Sequence, residues 1–518
     1  MSEKRALLSQ HARVAMGRGD LAALVSITQQ LQATAPHYAD THYLAAHAAL
    51  AQQQWPNAVR AFKKCIQLDR KRLDALVELA DLHLKMGRHG DSYALLAKRS
   101  ADLALAPRPA FMAGELMTKL GMHVDALPLF RAANTLQPEV DSIQAGLAAC
   151  ATKNGELGLA QQLYTDLLQR NPNHQRNHYE LIRLVKAADR KHVDSMLGLL
   201  GKNGELGDVF LHYAIAKELE DLESWEESFD HYHKGAQQAG LKCQQAGYSV
   251  QHDIDALGVC EQMYTKQWIQ APGKAVSGSR CPIFVVGLPR TGTTLVERIL
   301  SSHPLIETAD ETFFMQSAVA RGSKKPQSKL AEQLEAASQA GDFNLAANYM
   351  DAVEYRVAEQ PFVVDKYPFN FHYLGLIARY LQGAKIVLLE RNPMDACVAM
   401  FKQPFFNYSF NLDDLGQYYV AYRSLMDHWL QVLPNIHVVK YETLTTDTHD
   451  EIEKLLAYVG VESDPACHRF YENSGASATA SSVQIREKMH TRSVDKWRKW
   501  ENQLDLLSNR LKSNGIAV

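Results

Sequence analysis

The sequence predicts an α-solenoid of stacked helix pairs followed by an α/β domain with a central parallel sheet. Three observations carry this. In the first half, glycine, a small residue, an aromatic and proline recur at an offset of 34 residues. Between about 237 and 280 that phase is lost, and a stretch rich in Gly, Ser, Ala and Pro, APGKAVSGSR, follows. Immediately afterwards the apolar, β-branched run CPIFVVG passes through a glycine-rich turn into LVERILSSH, which has helical spacing.

The repeat is clearest where LMTKLGMHVDALPLFRAANTLQP superimposes on ACATKNGELGLAQQLYTDLLQRNP. Gly121 matches Gly155, Ala126 matches Ala160, Phe130 matches Tyr164, and Pro138 matches Pro172. The same offset reaches Gly87, Gln53 and Gly19 in one direction, and Asp189 and Glu223 in the other. Each residue type has a task. Glycine permits the tight turn between two helices, and the small residue lets them approach. The aromatic fills the groove against the next pair, and proline ends the second helix. The pattern resembles the tetratricopeptide repeat, with departures at Arg99 and Asp194, where small residues are usual. About seven helix pairs, from residue 5 to 236, are expected to stack with a concave face suited to a peptide or partner protein.

Composition sets limits on function. The 518 residues are 46% apolar and 22% charged, which excludes a disordered or fibrous chain. Fifty-five basic residues against 58 acidic ones give a net charge of −3, so no whole-protein footprint for nucleic acid exists. Seven scattered cysteines without a CxxC pair read as reduced thiols. The opening residues lack a signal-peptide stretch, and no segment reaches the roughly 20 apolar residues of a membrane span. A cytoplasmic protein without membrane contact is expected. No HExxH or Asp-rich loop points to a metal, and His231 and His233 read as surface residues of a repeat helix.

The second half carries the chemistry. Gly287-Leu-Pro-Arg-Thr-Gly-Thr-Thr294 sits between strand and helix, the context in which backbone N–H groups cradle a phosphate. Gly287 and Gly292 keep the spacing of the nucleotide-triphosphatase loop, but Thr293 stands where that loop has lysine. That argues against a kinase or nucleotidase and for one phosphate-like group, held with the help of Arg290. Four further segments follow in order: VVDKYPFN with Lys366, KIVLLERNPMDACVAMF with Arg391, VVKYETL with Tyr441, and ASSVQI then SVDKW with Ser481 and Lys496.

These segments together, from about 281 to 500, resemble the sulfotransferases that use 3′-phosphoadenosine 5′-phosphosulfate (PAPS). They are most similar to tyrosylprotein sulfotransferases and to bacterial proteins that join tetratricopeptide repeats to such a domain. The resemblance implies sulfuryl transfer to an acceptor hydroxyl, with a peptide tyrosine preferred and a saccharide or small metabolite as alternatives. A non-catalytic nucleotide-binding scaffold is the remaining rival. The resemblance implies Glu311 in TADETFF as general base, with Glu307 and Asp310 as neighbouring alternatives. It implies Lys366 and Ser481 as donors to the leaving phosphate. Arg290, Thr291, Gly292, Thr293 and Thr294 would hold the 5′-phosphosulfate, Arg391 the 3′-phosphate, and Tyr441 would close the site. The family pairs that arginine with a serine eight residues on, where this chain has Ala399; Lys496 is then expected to supply charge to the phosphate.

Cys397 lacks a histidine partner in sequence and reads as helix packing, and the aromatic run Phe405, Phe406, Tyr408 and Phe410 reads as loop packing more than as an acceptor site. The expected domains are 1–236 for the repeats, 237–280 for a helical connector and linker, and 281–518 for the sulfotransferase domain. No metal is expected, and a homodimer is compatible with the sequence.

Overall fold

A computed structural model describes every residue except 1, 203, 205, 272–279, 324, 326–327, 341–343, 358–359, 478 and 480–483. The linker expected at 271–280 lies largely outside the described residues, and Ser481 lies outside them too. Compact packing divides the chain into two units, Met1–Cys150 and Ala151–Val518.

The first unit is built of helix hairpins. Ser2–Arg18 pairs with Leu21–Thr34, Ala39–Ala51 with Trp55–Leu68, Leu73–Lys85 with His89–Lys98, and Pro107–Lys119 with His123–Leu136. The turns explain the glycine spacing. Gly19, Gln53, Gly87 and Gly121 are all left-handed, with φ of 70°, 58°, 72° and 76°. The residue after each donates its N–H across the helix end, to Ala15, Ala49, His83 and Met117, at 2.8–2.9 Å. That six-to-one bond caps carbonyls that would otherwise be orphaned, and it needs a left-handed residue just before the donor. The small-then-aromatic pair is buried as its role requires: Ala126 is 0% exposed and Phe130 1%. A Cβ added at Gly114 or Gly146 would stand 3.0 or 2.7 Å from the Phe130 ring, so both glycines are needed for that ring to fit.

The second unit opens with more of the same hairpins: Leu157–Arg170, Gln175–Ile182, Lys191–Leu197, Val209–Asp221 and Trp225–Gln245. Gly155 and Glu223 repeat the left-handed turn, with bonds from Glu156 to Ala151 and from Ser224 to Leu219. Asp189 does not adopt it, and the helix that follows is short, Lys191–Leu197. The connector forms Val250–Met263 and Lys266–Gln270.

The sheet has five strands: β1 (Cys281–Gly287), β2 (Ile306–Thr308), β3 (Phe362–Asp365), β4 (Lys385–Glu390) and β5 (Ile436–Lys440). Their order is β2-β3-β1-β4-β5, and every pairing is parallel; Val285 stands opposite Val387 and Ile283 opposite Val364. Alternate residues of a strand face opposite sides. Here Ile283, Val285, Val387 and Leu389 join a core with Val296, Ile299 and Leu456. Phe284, Val286, Ile386 and Leu388 join another that runs continuously into the repeat helices through Tyr179, Leu211, Tyr213 and Phe229. The chain leaves β1 toward one side of the sheet and places β4 on the other, which makes the carboxyl ends of β1 and β4 the crevice where open α/β sheets bind ligands. In the aromatic run, Tyr408 is buried and stacks on Tyr418 at 3.9 Å, and Phe410 is buried, whereas Phe405 is 43% exposed.

Candidate functional site

Each of the five strands delivers one sequence-predicted residue at or just beyond its carboxyl end: Arg290 after β1, Glu311 after β2, Lys366 after β3, Arg391 after β4 and Tyr441 after β5. Parallel strands all end on one edge of the sheet, so residues remote in sequence meet there.

The loop after β1 is tightly specified. Gly287 has φ 147°, and a Cβ on it would lie 2.7 Å from the Leu389 carbonyl of the neighbouring strand. Arg290 takes a left-handed φ of 69°, and Gly292 has φ 104°. Thr291 Oγ1 donates to the Leu288 carbonyl at 2.7 Å, and the helix Thr293–Leu300 starts with buried Thr293 and Thr294. Tyr441 lies against Gly292 so closely that a Cβ there would be 2.8 Å from its ring. Burial pushes the Arg290 guanidinium down to about 10, and the charges of Arg391 and Arg183 act in the same sense. Mutual repulsion of cations in a half-buried cleft favours an anion there.

Arg391 is oriented by carbonyl oxygens: it donates to Arg290 at 2.8 Å and to Ser493 at 2.6 Å, with its guanidinium 4.7 Å from the Tyr441 ring centre. Arg290, Gly292, Thr293, Thr294, Arg391, Tyr441 and Lys496 line one cavity of about 580 Å³, together with Arg183, just past the helix Gln175–Ile182, and Lys217 of the helix Val209–Asp221.

Lys366 anchors a second cluster. Its side chain is 1% exposed, and its Nζ stands 3.5 Å from Glu297 and 3.4 Å from Glu311. Neither contact has hydrogen-bond geometry. Burial opposes the ammonium charge, but Glu311, Glu297 and Asp310 outweigh it and raise the lysine above its ordinary value. Glu297, 7% exposed, is pushed up by burial against the pull of Lys366, and accepts from Thr308 Oγ1 at 2.6 Å. Glu311 is more open, at 31%. Glu297 lies one turn beyond Thr293 on the loop helix, so that helix links the two clusters. The alternatives to Glu311 differ from it: Asp310 is buried at a left-handed φ of 59°, while Glu307 lies within β2.

Lys496 meets a residue that sequence reasoning missed. It pairs with Glu220 of the repeat helix Val209–Asp221 at 2.5 Å, and Lys402 pairs with the same carboxylate at 2.7 Å. Burial opposes ionisation, yet the two ammonium groups hold Glu220 down to about 2. Burial brings Lys402 down to about 8. Glu220 and Glu297 give the same signal in sequence, an acidic residue inside a helix otherwise spaced for packing, and that signal does not separate a buried carboxylate from a solvated one.

Cys397 is fully buried, and burial pushes its thiol up, away from thiolate chemistry. His231, expected at the surface, is half-buried and hydrogen-bonds to His212 at 3.0 Å, because its helix packs on Val209–Asp221. Among the described residues one trio has metal-ligand proximity, His449, Glu453 and His468, and none of the three lines the cavity. No helix among the described residues is long and apolar enough to cross a membrane.

Residues 282–465 match the sulfotransferase family, and residues 49–109 match the tetratricopeptide repeat, a module that generally mediates protein interactions. An uncharacterized protein of Aquifex aeolicus is 26% identical over 417 residues, which are 77% of this chain and 54% of that protein; the match thus spans about half of that relative's length. Protein-tyrosine sulfotransferase 1 of Danio rerio is 22% identical over 232 residues, 42% of this chain and 65% of the fish protein. The Homo sapiens protein of the same name is 25% identical over 153 residues, 28% of this chain and 39% of its own. Among solved structures, the sulfotransferase domain of the Synechococcus PCC 7002 olefin synthase aligns with a TM-score of 0.33 and 17% identity, covering 46% of this chain and 97% of that domain.

Proposed function

We propose that the chain transfers a sulfuryl group from PAPS to an acceptor hydroxyl, with a protein or peptide tyrosine as the first acceptor to test. The repeats, assigned to 1–236, recruit the substrate or a partner; 237–280 connects them to the catalytic domain, 281–518. We assign the activity to the cytoplasm, where the seven free cysteines stay reduced. The observation that carries this reading is the arrival of Arg290, Glu311, Lys366, Arg391 and Tyr441 from five strand ends.

The residues fit an adenosine 3′,5′-bisphosphate-type cosubstrate. Gly287 and Gly292 let the loop pack tightly on the Leu389 carbonyl and the Tyr441 ring, which fixes its shape, and Lys366 Nζ is buried without a hydrogen-bond acceptor among the described residues. PAPS supplies the sulfuryl group, and adenosine 3′,5′-bisphosphate remains after transfer. Loop N–H groups from Arg290 to Thr294 hold anionic oxygen at the start of the loop helix. Arg391, fixed by two carbonyls, faces a second phosphate. Glu311, the more exposed carboxylate beside Lys366, takes the acceptor proton. Lys366 then has one carboxylate neighbour fewer in anionic form, and its ammonium is released toward the leaving oxygen. Ser481 is assigned as a second donor to that oxygen.

Incubation with radiolabelled PAPS and a tyrosine-peptide library, beside hydroxylated sugars and small phenols, tests the reading. Label on peptides, abolished by Glu311→Ala, is expected. No transfer to any acceptor, or full activity in that variant, rejects it. Arg391→Ala is expected to weaken adenosine 3′,5′-bisphosphate binding by about tenfold or more in calorimetry, the scale of a lost charge-assisted contact.

A further inference from the structure

We propose that Lys402 and Lys496, held side by side by Glu220 of a repeat helix, form the subsite for the 3′-phosphate in place of the hydroxyl missing at Ala399. This makes the helix Val209–Asp221 part of the cosubstrate site, and it rests on the PAPS reading above. Ala399 lies one helical turn before Lys402, so the two face the same way, and both line the cavity with Arg391 and Lys496. A small side chain at 399 leaves room for the lysine to act there.

Three observations support a built anion site. Glu220 is buried and accepts from Lys402 and Lys496 and also from Tyr232 at 3.0 Å, so its oxygens are fully engaged. An ammonium has three donors, and one carboxylate uses only part of those that two lysines offer. Lys402 is further walled in by the rings of Tyr232 and Trp500, at 5.8 and 5.1 Å. The segment bearing Lys496 is itself pinned: Asp395 accepts the N–H of Asp495 at 2.7 Å and of Trp497 at 3.1 Å. Two ammonium groups facing one carboxylate leave a net positive charge in a cavity that already contains Arg391, whose hydrogen bonds go to carbonyls. A phosphate balances that charge.

The test compares adenosine 3′,5′-bisphosphate with adenosine 5′-monophosphate by calorimetry on the full chain. The wild type is expected to prefer the bisphosphate. Lys402→Met and Lys496→Met are each expected to lower bisphosphate affinity about tenfold while leaving monophosphate affinity unchanged. Ala399→Ser added to Lys402→Met is expected to recover part of the preference, a rescue that a merely structural lysine would not allow. Lys496 is 39% exposed, so its variant keeps the test open if Lys402→Met does not fold. Unchanged selectivity in the variants overturns the inference, as does an equal loss of both nucleotides. A wild type that binds neither nucleotide overturns the PAPS reading and this inference together.

Discussion

Lys366 and Glu297 illustrate how much a single pair depends on tertiary approach. The lysine is legible in sequence through the segment VVDKYPFN, and the structure puts it at the carboxyl end of β3, where open sheets present ligand-binding groups. Glu297 is not legible, because TTLVERIL has the spacing of any amphipathic helix and only the end of β3 turns its carboxylate into a partner. Removing the lysine leaves Glu297 buried without its counter-charge and drives it to take up a proton, so Lys366→Met is expected to cost about 2 kcal/mol of stability. Lys366→Met/Glu297→Gln should recover most of that in chemical denaturation while remaining inactive. Asp365 gives a pH test. Burial pushes it up from 3.8 to about 7, although Tyr349 and Asn370 donate to it at 3.0 and 2.9 Å. Between those values the folded chain keeps a proton that the unfolded chain releases, so this carboxyl makes stability fall as pH rises through that window. The slope from it is at most about 1.4 kcal/mol per pH unit, and Asp365→Asn should flatten the measured stability profile there.

At the scale of elements, the 34-residue offset located the helix turns because each turn needs one left-handed residue, and glycine takes that conformation at least cost. Gln53 and Glu223 hold it at φ 58° and 59° with full side chains. Gln53→Gly and Glu223→Gly are therefore each expected to stabilise by about 1 kcal/mol, seen as a higher melting temperature. The offset also pointed to Asp189, which is not left-handed; there the backbone N–H of Ala187 is instead taken by Asp221 at 3.0 Å, and the turn is irregular. β1 was legible as the apolar β-branched run CPIFVVG, which is buried on both faces. β2 was not, since three residues, Ile306–Thr308, are too few to show a period, and their pairing with β3 defines them.

For the whole molecule, motif order revealed a repeat region followed by a sheet, but composition gave no sign that the later hairpins share an apolar core with that sheet. The core runs from Tyr179 through Phe284 to Leu511 and is sealed by contacts such as Trp500 Nε1 to the Trp225 carbonyl at 2.8 Å. A fragment of residues 281–518 is expected to expose that core and bind hydrophobic dyes, whereas 139–518 is expected to unfold cooperatively; differential scanning calorimetry and dye fluorescence check both. The position of the compact boundary at Cys150 also bears on how such a chain diversifies. Within the second unit the repeat hairpins and the sheet are one apolar body, so a substitution on either side of that core is coupled to the other. The hairpins that pack on the sheet must therefore change in step with it.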